Sequence, residues 1–360
     1  LFTKRKNTLR QILLLSHMPA NLIEFTDLGL YVPEANVYID PWRAVDKAII
    51  THGHSDHARI GHKWYLTHRQ NVAILKHRLG ANINVSSVEF GEAFMINGVK
   101  FSLHPAGHVL GSSQVRVESK GRVWVFSGDY KTANDGISGM FEPVKCHAFI
   151  TESTFGMPVF NWKPQQEIFN DINRWWNKNK EDGKVSLISA YSLGKAQRII
   201  ANVDSSIGPI FTHGAVEPIN EIYRAEGVAL PPTTKAGAEH TSKDFKGALV
   251  VAPGSAFNTP WANKFKPIST AIASGWMNLR GAKRWQAADR GFVLSDHADW
   301  TGLISAIKGT GCESVYITHG YTSVFSRWLR EHGYDAHEVK TLYGEENEAP
   351  EVIEVTPEKT

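Results

Sequence analysis

The sequence predicts an α/β protein in which one unit is interrupted by another, and three observations carry that expectation. Between Leu22 and Thr151, short apolar strands alternate with loops that hold histidine or aspartate. From Val185 to Gly275, strand, glycine turn and helix recur as in a separate α/β unit. The strand-plus-histidine pattern then returns at Gly291–His297 and at Ser314–His319, so the first unit resumes after an insertion.

Taken in order, Leu28–Tyr31, Asn36–Ile39 and Lys47–Ile50 read as strands separated by Pro33, by Asp40-Pro41 and by a charged turn. Val99–His104, Ser113–Glu118 and Arg122–Ser127 continue as alternating or buried strands, and residues 144–151 add an apolar one that runs into Glu152-Ser153-Thr154. A helix is expected over Gln165–Lys180, with Ile168, Ile172, Trp175 and Trp176 on one stripe. Val185–Ala190 reads as a buried strand, followed by the turn Tyr191-Ser192-Leu193-Gly194 and a helix through Lys195, Gln197 and Arg198. Residues 1–18 are basic and leucine-rich and read as a leader or added segment apart from the fold. Residues 346–360 read as an acidic, solvated tail.

With 360 residues and 42% hydrophobic content the chain can bury a large core. Its two cysteines, Cys146 and Cys312, lack CxxC spacing, which argues against a disulfide framework or a thiolate zinc site and fits a reducing cytoplasm. No run approaches the roughly 18 apolar residues of a membrane span. A net charge of +3 is compatible with a polyanionic partner without demanding one. Histidine says more: the sixteen residues cluster in short motifs, as metal ligands do.

The densest motif is Thr51-His52-Gly53-His54-Ser55-Asp56-His57, directly after a strand. Alternate residues project the same way, so His52 and His54 can share one ion while Asp56 and His57 serve a neighbour. Imidazole and carboxylate without thiolate suit Zn²⁺, with Mn²⁺ or Fe²⁺ as alternatives. Incidental surface histidines are the bland reading, but three histidines and an aspartate at this spacing rarely arise by composition. Further ligands are on offer at strand ends: His108 in a glycine-bounded loop, Asp129 after Phe126-Ser127-Gly128, and His319 in Thr318-His319-Gly320.

With these motifs the chain resembles the metallo-β-lactamase fold and, within it, the β-CASP nucleases, over nearly its whole length. The HxHxDH run is common to many hydrolases of that fold, whereas Glu152, Ser295-Asp296-His297-Ala298-Asp299 and Thr318-His319-Gly320 mark the nuclease branch. The resemblance implies an αββα sandwich over residues 19–157 and 293–345, with a β-CASP α/β domain inserted at 158–292 and a substrate cleft between them. It implies His52, His54 and His108 on one zinc, Asp56, His57 and His319 on the other, and Asp129 as the bridge. Asp40 would support the metal loop by hydrogen bonding, although a turn aspartate at Asp40-Pro41 would look the same. Tyr38-Ile39-Asp40-Pro41, the run 106–112, the run 189–197 and Gly275-Trp276-Met277 are most similar to the bacterial ligase-associated DNA exonucleases. That group implies DNA end processing or repair alongside an ATP-dependent DNA ligase and a helicase. A histidine at the last motif is more usual in RNA-directed members, so RNA stays an alternative substrate.

Two cations held this way would acidify a shared water and take up phosphoryl charge. The leaving alcohol still needs a proton, and His297, polarised by Glu152, is the candidate donor; a metal-ligand or helix-capping role for His297 is the alternative. Ser192-Leu193-Gly194 and Pro253-Gly254-Ser255 could hold phosphates, though ordinary strand-to-helix turns explain them equally well. Lys195 ranks ahead of Lys131, Arg198 and Arg280 as a cation for the nucleic-acid backbone, and Trp276 beside Arg280 suits base stacking. His62, His68, His104 and His213 receive no role, and of these only His104 is expected near the metals. Two rival readings stand: a small-ester, lactone or thioester hydrolase of the same fold, which has no use for the insertion or His297, and an inert processing-complex subunit, which has no need of a full ligand set.

Overall fold

The computed structural model describes residues 21–279 and 288–339, so the expected leader at 1–18, the acidic tail and Arg280 lie outside the described residues. A first sheet runs in chain order: β1 (Glu24–Thr26), β2 (Gly29–Val32), β3 (Val37–Ile39), β4 (Lys47–Ile49), β5 (Trp64–His68) and β6 (Val85–Val88). A second begins with β7 (Ala93–Ile96), β8 (Val99–Pro105), β9 (Ser113–Ser119), β10 (Arg122–Phe126) and β11 (Ala148–Ser153). The chain then leaves to build a third sheet from β12 (Val185–Ser189), β13 (Ile210–Thr212), β14 (Thr234–Lys235), β15 (Leu249–Ala252), β16 (Ile268–Ala273) and β17 (Arg290–Phe292). Its strands are all parallel, in the order β14-β13-β15-β12-β16-β17. Afterwards β18 (Ser314–Gly320) and β19 (Asp335–Glu338) return to the second sheet, β18 pairing parallel with β11 in the register Ile150 opposite Tyr316.

Period-two alternation explains how these sheets stack. Leu30, Val32, Ile39 and Leu66 of the first sheet meet Phe101, Leu103, Val115, Val117 and Ile150 of the second in one buried layer. The alternate residues point outward and are covered by helices. Ala48, Ile50 and Tyr65 pack on Leu75 of α1 (Val72–Leu79). Val125, Phe149, Val315 and Ile317 pack on residues that follow the third sheet in the chain, Leu303 and Ile307 of α6 (Trp300–Thr310) and Phe325 and Leu329 of α7 (Thr322–Glu331). The result is the expected αββα sandwich.

The inserted sheet is covered on one face by α2 (Gln165–Glu181) and α3 (Lys195–Asn202), through Ile168, Ile172, Trp176, Ile199 and Ile200. Its other face packs on Phe245, Phe265 and neighbours of α5 (Pro260–Asn263). Of the predicted helical stripe, Trp175 is only partly buried. A small apolar seam joins the two parts: Ile74 and Leu110 from the sandwich meet Leu193 and, from α4 (Glu217–Ala225), Ile219 and Tyr223.

Two expected strands differ. The segment 144–151 turns strand only at Ala148, because the backbone amides of Cys146 and His147 donate to Thr310 and Val123 outside that ladder. The strand expected over Gly291–His297 stops at Phe292. Side chains in the next run take over the backbone donors there: Ser295 Oγ accepts from the His297 amide, and Asp299 caps α6 by accepting from the Gly302 amide.

Candidate metal centre

Loops at the carboxyl ends of β4, β8, β10, β11 and β18 converge on one point. The first carries His52, His54, Asp56 and His57 in a tight turn closed by the Ala58 amide donating to the His54 carbonyl at 2.8 Å. The loop after β8 brings His108, and it starts at Gly107 with φ of +74°, where a Cβ would lie 2.6 Å from the Lys131 carbonyl. Only glycine fits there. Asp129 follows β10, Glu152 lies at the end of β11 and His319 at the end of β18.

Side-chain atoms of His52, His54, His108 and Asp129 lie within 4.8 Å of one another, and so do those of His57, Asp129 and His319. In the first group, His54 Nδ1 is 3.1 Å from His52 Nε2 and 3.0 Å from His108 Nε2. In the second, Asp129 Oδ1 is 2.9 Å from His319 Nε2, while Asp129 Oδ2 is 3.4 Å from His57 Nε2. Such spacings approach the edge of a coordination tetrahedron, roughly 3.3 Å for metal–ligand bonds of about 2.0–2.1 Å. Asp56 sits at the rim, half exposed, with its carboxylate 3.6 Å from His57 Nε2.

The second nitrogen of each ring settles how it is aimed. His57 Nδ1 donates to Asp40 at 2.7 Å, His108 Nδ1 to the Asp296 carbonyl at 2.8 Å, and His54 Nε2 to the Leu193 carbonyl at 3.2 Å. His52 and His319 turn Nδ1 to the hydroxyls of Thr51 and Thr318. All five imidazoles thus present one nitrogen inward and hold the other outward, the arrangement by which supporting groups orient metal ligands. Asp40 also accepts from the amide and hydroxyl of Thr51, and to reach all three it adopts φ of +43°. A turn role alone would not aim both carboxylate oxygens at Thr51 and His57.

Electrostatics agrees with this chemistry. Burial, reinforced by the neighbouring imidazoles, holds His52 well below its ordinary value and His108 down to about 3. Burial also penalises charge on His57 and His319, but Asp129 overcomes it and raises both, with Asp129 itself held well below the carboxylate range. Rings packed this closely cannot all be protonated, and a bound cation would take the place of the positive charge that Asp129 draws onto His57 and His319. The donor set therefore fits a pair of divalent cations.

Beside this cluster, His297 Nδ1 lies 2.9 and 3.0 Å from the two oxygens of fully buried Glu152, which also accepts from the Tyr130 amide. Burial lowers the His297 pKa, yet the charge and hydrogen bond of Glu152 outweigh it and raise the ring to about 9. The Trp162 indole donates to the His297 carbonyl at 3.0 Å, so this loop is fixed at both backbone and ring.

A cavity of about 330 Å³ opens over the cluster, lined by His54, His108, His297 and His319 together with Ser55, Thr154, Tyr191, Lys195 and Asp296. Lys195 is 2% exposed, and its ammonium lies 4.6 Å from the Tyr191 ring centre. Ser55, Thr154, Tyr191 and Asp296 carry no role in the sequence reading. The signal available for them was adjacency to motifs, and the buried Thr154 hydroxyl, which has no hydrogen-bond partner, becomes conspicuous only in three dimensions.

Other expected substrate contacts are not among the residues lining this cavity. Ser192 lies in the turn before α3, and Gly254 and Ser255 form a 3-10 turn after β15. Trp276 is half-buried among aromatics, 5.0 Å from Phe155 and 5.7 Å from Phe160 between ring centres. Arg198 is consumed internally by Gln165, Ser295 and Asp296, and Lys131 turns inward to within 3.7 Å of Asp135, so neither presents a free cation. His104 pairs with the Ser102 hydroxyl and is not among the residues lining the cavity.

No family model matches the chain. It is 27% identical over 331 residues to a "Probable DNA ligase" of Opitutus terrae, covering 91% of this chain and 32% of that protein. It is 25% identical to an "RNase J-like protein" of Methanocaldococcus jannaschii (56% of this chain, 55% of the relative), and 29% identical to "Cleavage and polyadenylation specificity factor 73" of Drosophila melanogaster (33% and 18%). The chain thus spans only a third of the first relative and about half of the second. A crystal structure of a protein of unknown function from Enterococcus faecalis shares the fold, with a TM-score of 0.57 at 10% identity over 84% of this chain and 80% of that one. In its αββα sandwich and inserted parallel sheet the chain has the expected fold, and these relatives fit the resemblance to metallo-β-lactamase-fold nucleases of the β-CASP branch. No helix among the described residues is long and apolar enough to cross a membrane.

Proposed function

We propose that the chain is a metal-dependent nuclease that hydrolyses nucleic-acid phosphodiesters, acting as a DNA exonuclease in end processing or repair. The observation that carries this reading is the set of five oriented imidazoles sharing Asp129, with the His297–Glu152 pair against it. His52, His54 and His108 would hold one cation, Asp56, His57 and His319 the other, and Asp129 would serve both; zinc is proposed, with manganese or iron as substitutes. When bound, such a pair acidifies water and absorbs charge on the phosphoryl oxygens. Asp40 keeps the His57 ring turned inward.

His297 supplies the proton that the leaving alkoxide takes up, from the ring nitrogen not bonded to Glu152. Glu152 keeps that ring protonated and aimed. Lys195 and the Thr154 hydroxyl are placed to meet a phosphate oxygen in the cavity. Supporting roles for Ser192, Gly254, Ser255, Trp276 and Arg280 belong to more distant nucleotides.

The DNA assignment is supported by the overlap of 91% of this chain with a protein named as a probable ligase, and a working association with an ATP-dependent DNA ligase rests on the same overlap; the helicase rests on family resemblance alone. RNA is the second reading, favoured by His319 and by the relative named as RNase J-like. A reducing, cytoplasmic setting is supported by two free thiols. The deciding experiment is digestion of matched single-stranded and duplex DNA and RNA, labelled at either end, with Zn²⁺ or Mn²⁺ added. Stepwise loss from DNA ends is expected; preferential cleavage of RNA overturns the repair assignment, and no cleavage of either overturns the nuclease.

A further inference from the structure

The guanidinium of Arg198 is almost completely buried, and each of its nitrogens is used. Nη1 donates to the Ser295 carbonyl at 2.6 Å and to the Asp296 carboxylate at 3.1 Å, while Nε and Nη2 both donate to Gln165 Oε1. Arg198 belongs to α3 in the inserted part, whereas Ser295 and Asp296 belong to the loop that re-enters the sandwich. The same Asp296 accepts, through its backbone carbonyl, the Nδ1 proton of His108 at 2.8 Å. The start of α3 is seated on the loop that carries His108: Gly194 has φ of +91°, and a Cβ on it would lie 2.3 Å from Val109 Cγ1.

An imidazole that donates from Nδ1 must offer its Nε2 lone pair on the other side, and the carbonyl that accepts the proton fixes the plane in which that lone pair points. Here the carbonyl belongs to Asp296, the residue whose side chain and preceding carbonyl Arg198 holds. We propose that Arg198 is a positioning residue: by locking the Ser295–Asp296 backbone it fixes the tautomer and aim of His108, so that affinity for the cation bound by His108 depends on a helix of the inserted part. The inference rests on the metal-site reading above, and it gives the insertion a task besides contacting substrate. A buried arginine–aspartate pair with a purely packing role would leave cation affinity unchanged once the protein is folded.

The test is titration of the metal-free full-length chain with Co²⁺, followed by its visible absorption, for the parent, Arg198→Met, His108→Ala and the double variant, with circular dichroism as the check on folding. Supporting groups of this kind change metal affinity by about 10- to 100-fold. Arg198→Met is expected to weaken one of the two binding steps by at least about tenfold, leave the other in place, and add nothing in the His108→Ala background. Arg198→Lys, which keeps the charge but cannot span Gln165, Ser295 and Asp296 together, is expected to give a smaller loss of the same step. Should Arg198→Met not fold, Arg198→Lys and Gln165→Leu carry the same comparison. Parent-like titration in a folded variant, equal weakening of both steps, or an undiminished effect in the His108→Ala background would each overturn the proposal. A parent chain that binds no cation pair refutes instead the metal-site reading beneath it.

Discussion

Replacing Glu152 by glutamine removes one charge from a buried pair while keeping its shape, and the consequences can be worked out. In the parent, both Glu152 oxygens lie within 3.0 Å of His297 Nδ1 and hold the ring at about 9 against the burial that opposes it. Glutamine can still accept from the Tyr130 amide, but it carries no charge, so burial is no longer outweighed and the ring titrates at or below its ordinary value of about 6.5. At pH 7.5 a group titrating near 9 is about 97% protonated and one near 6.5 about 9%, so the supply of general acid falls roughly tenfold at neutral pH and further at pH 9. Bound cations shift parent and variant in the same direction, and the comparison between them survives. The assay is kcat against pH, at full metal loading, for an oligonucleotide and for a p-nitrophenyl phosphodiester whose leaving group needs no proton. Glu152→Gln is expected to move the alkaline limb downward by at least about 2.5 pH units for the oligonucleotide only. An unmoved limb, or equal losses on both substrates with metal content intact, would refute the assignment of His297 as the acid. Stability should follow the same sign: a pKa raised on folding stabilises fully below about pH 6.5 and is lost as pH rises through 9, an effect of roughly 3 kcal/mol in the parent that the variant lacks.

Other outcomes are as specific. His297→Asn should retain both cations by elemental analysis while kcat falls about 10²- to 10⁴-fold; loss of a cation would reassign the residue as a ligand. Asp129→Ala, which removes the one carboxylate common to both clusters, should abolish stoichiometric binding of the pair and all hydrolysis, whereas chelation of the parent should be reversed by adding Zn²⁺ or Mn²⁺. Asp40→Ala leaves the His57 ring without its partner at 2.7 Å and should weaken metal binding about 10- to 100-fold, as measured by competition with a chromogenic chelator. Trp176→Ala empties a fully buried site in the inserted core and should cost about 3–5 kcal/mol in urea denaturation, with no effect if that core were loosely packed.

How much of this was legible depended on whether the information was local. The run His52 to His57 could be read because its candidate ligands sit on one short loop, where spacing fixes direction. The discontinuity of the sandwich was visible because strand-plus-histidine segments return after residue 290. By contrast, β5 and β6 carry no clear alternation, and α1 has Asn71 and Gly80 at its ends but only 8 residues between them, too few to show a clear stripe, so none of the three was anticipated. Arg198 and Lys131 resemble exposed cations on paper, because a sequence gives charge and not burial.

By itself, then, the sequence determined the fold class, the candidate ligand types and the strand ends that carry them, since hydrophobic period and residue chemistry are properties of the chain. Only the tertiary structure decided which groups face one another. Glu152 meets His297 across 145 positions, and His108 is aimed by a carbonyl 188 positions away. Such pairs form only after two sheets have stacked and an inserted one has closed on them, and no local pattern encodes a contact whose geometry is set by that packing.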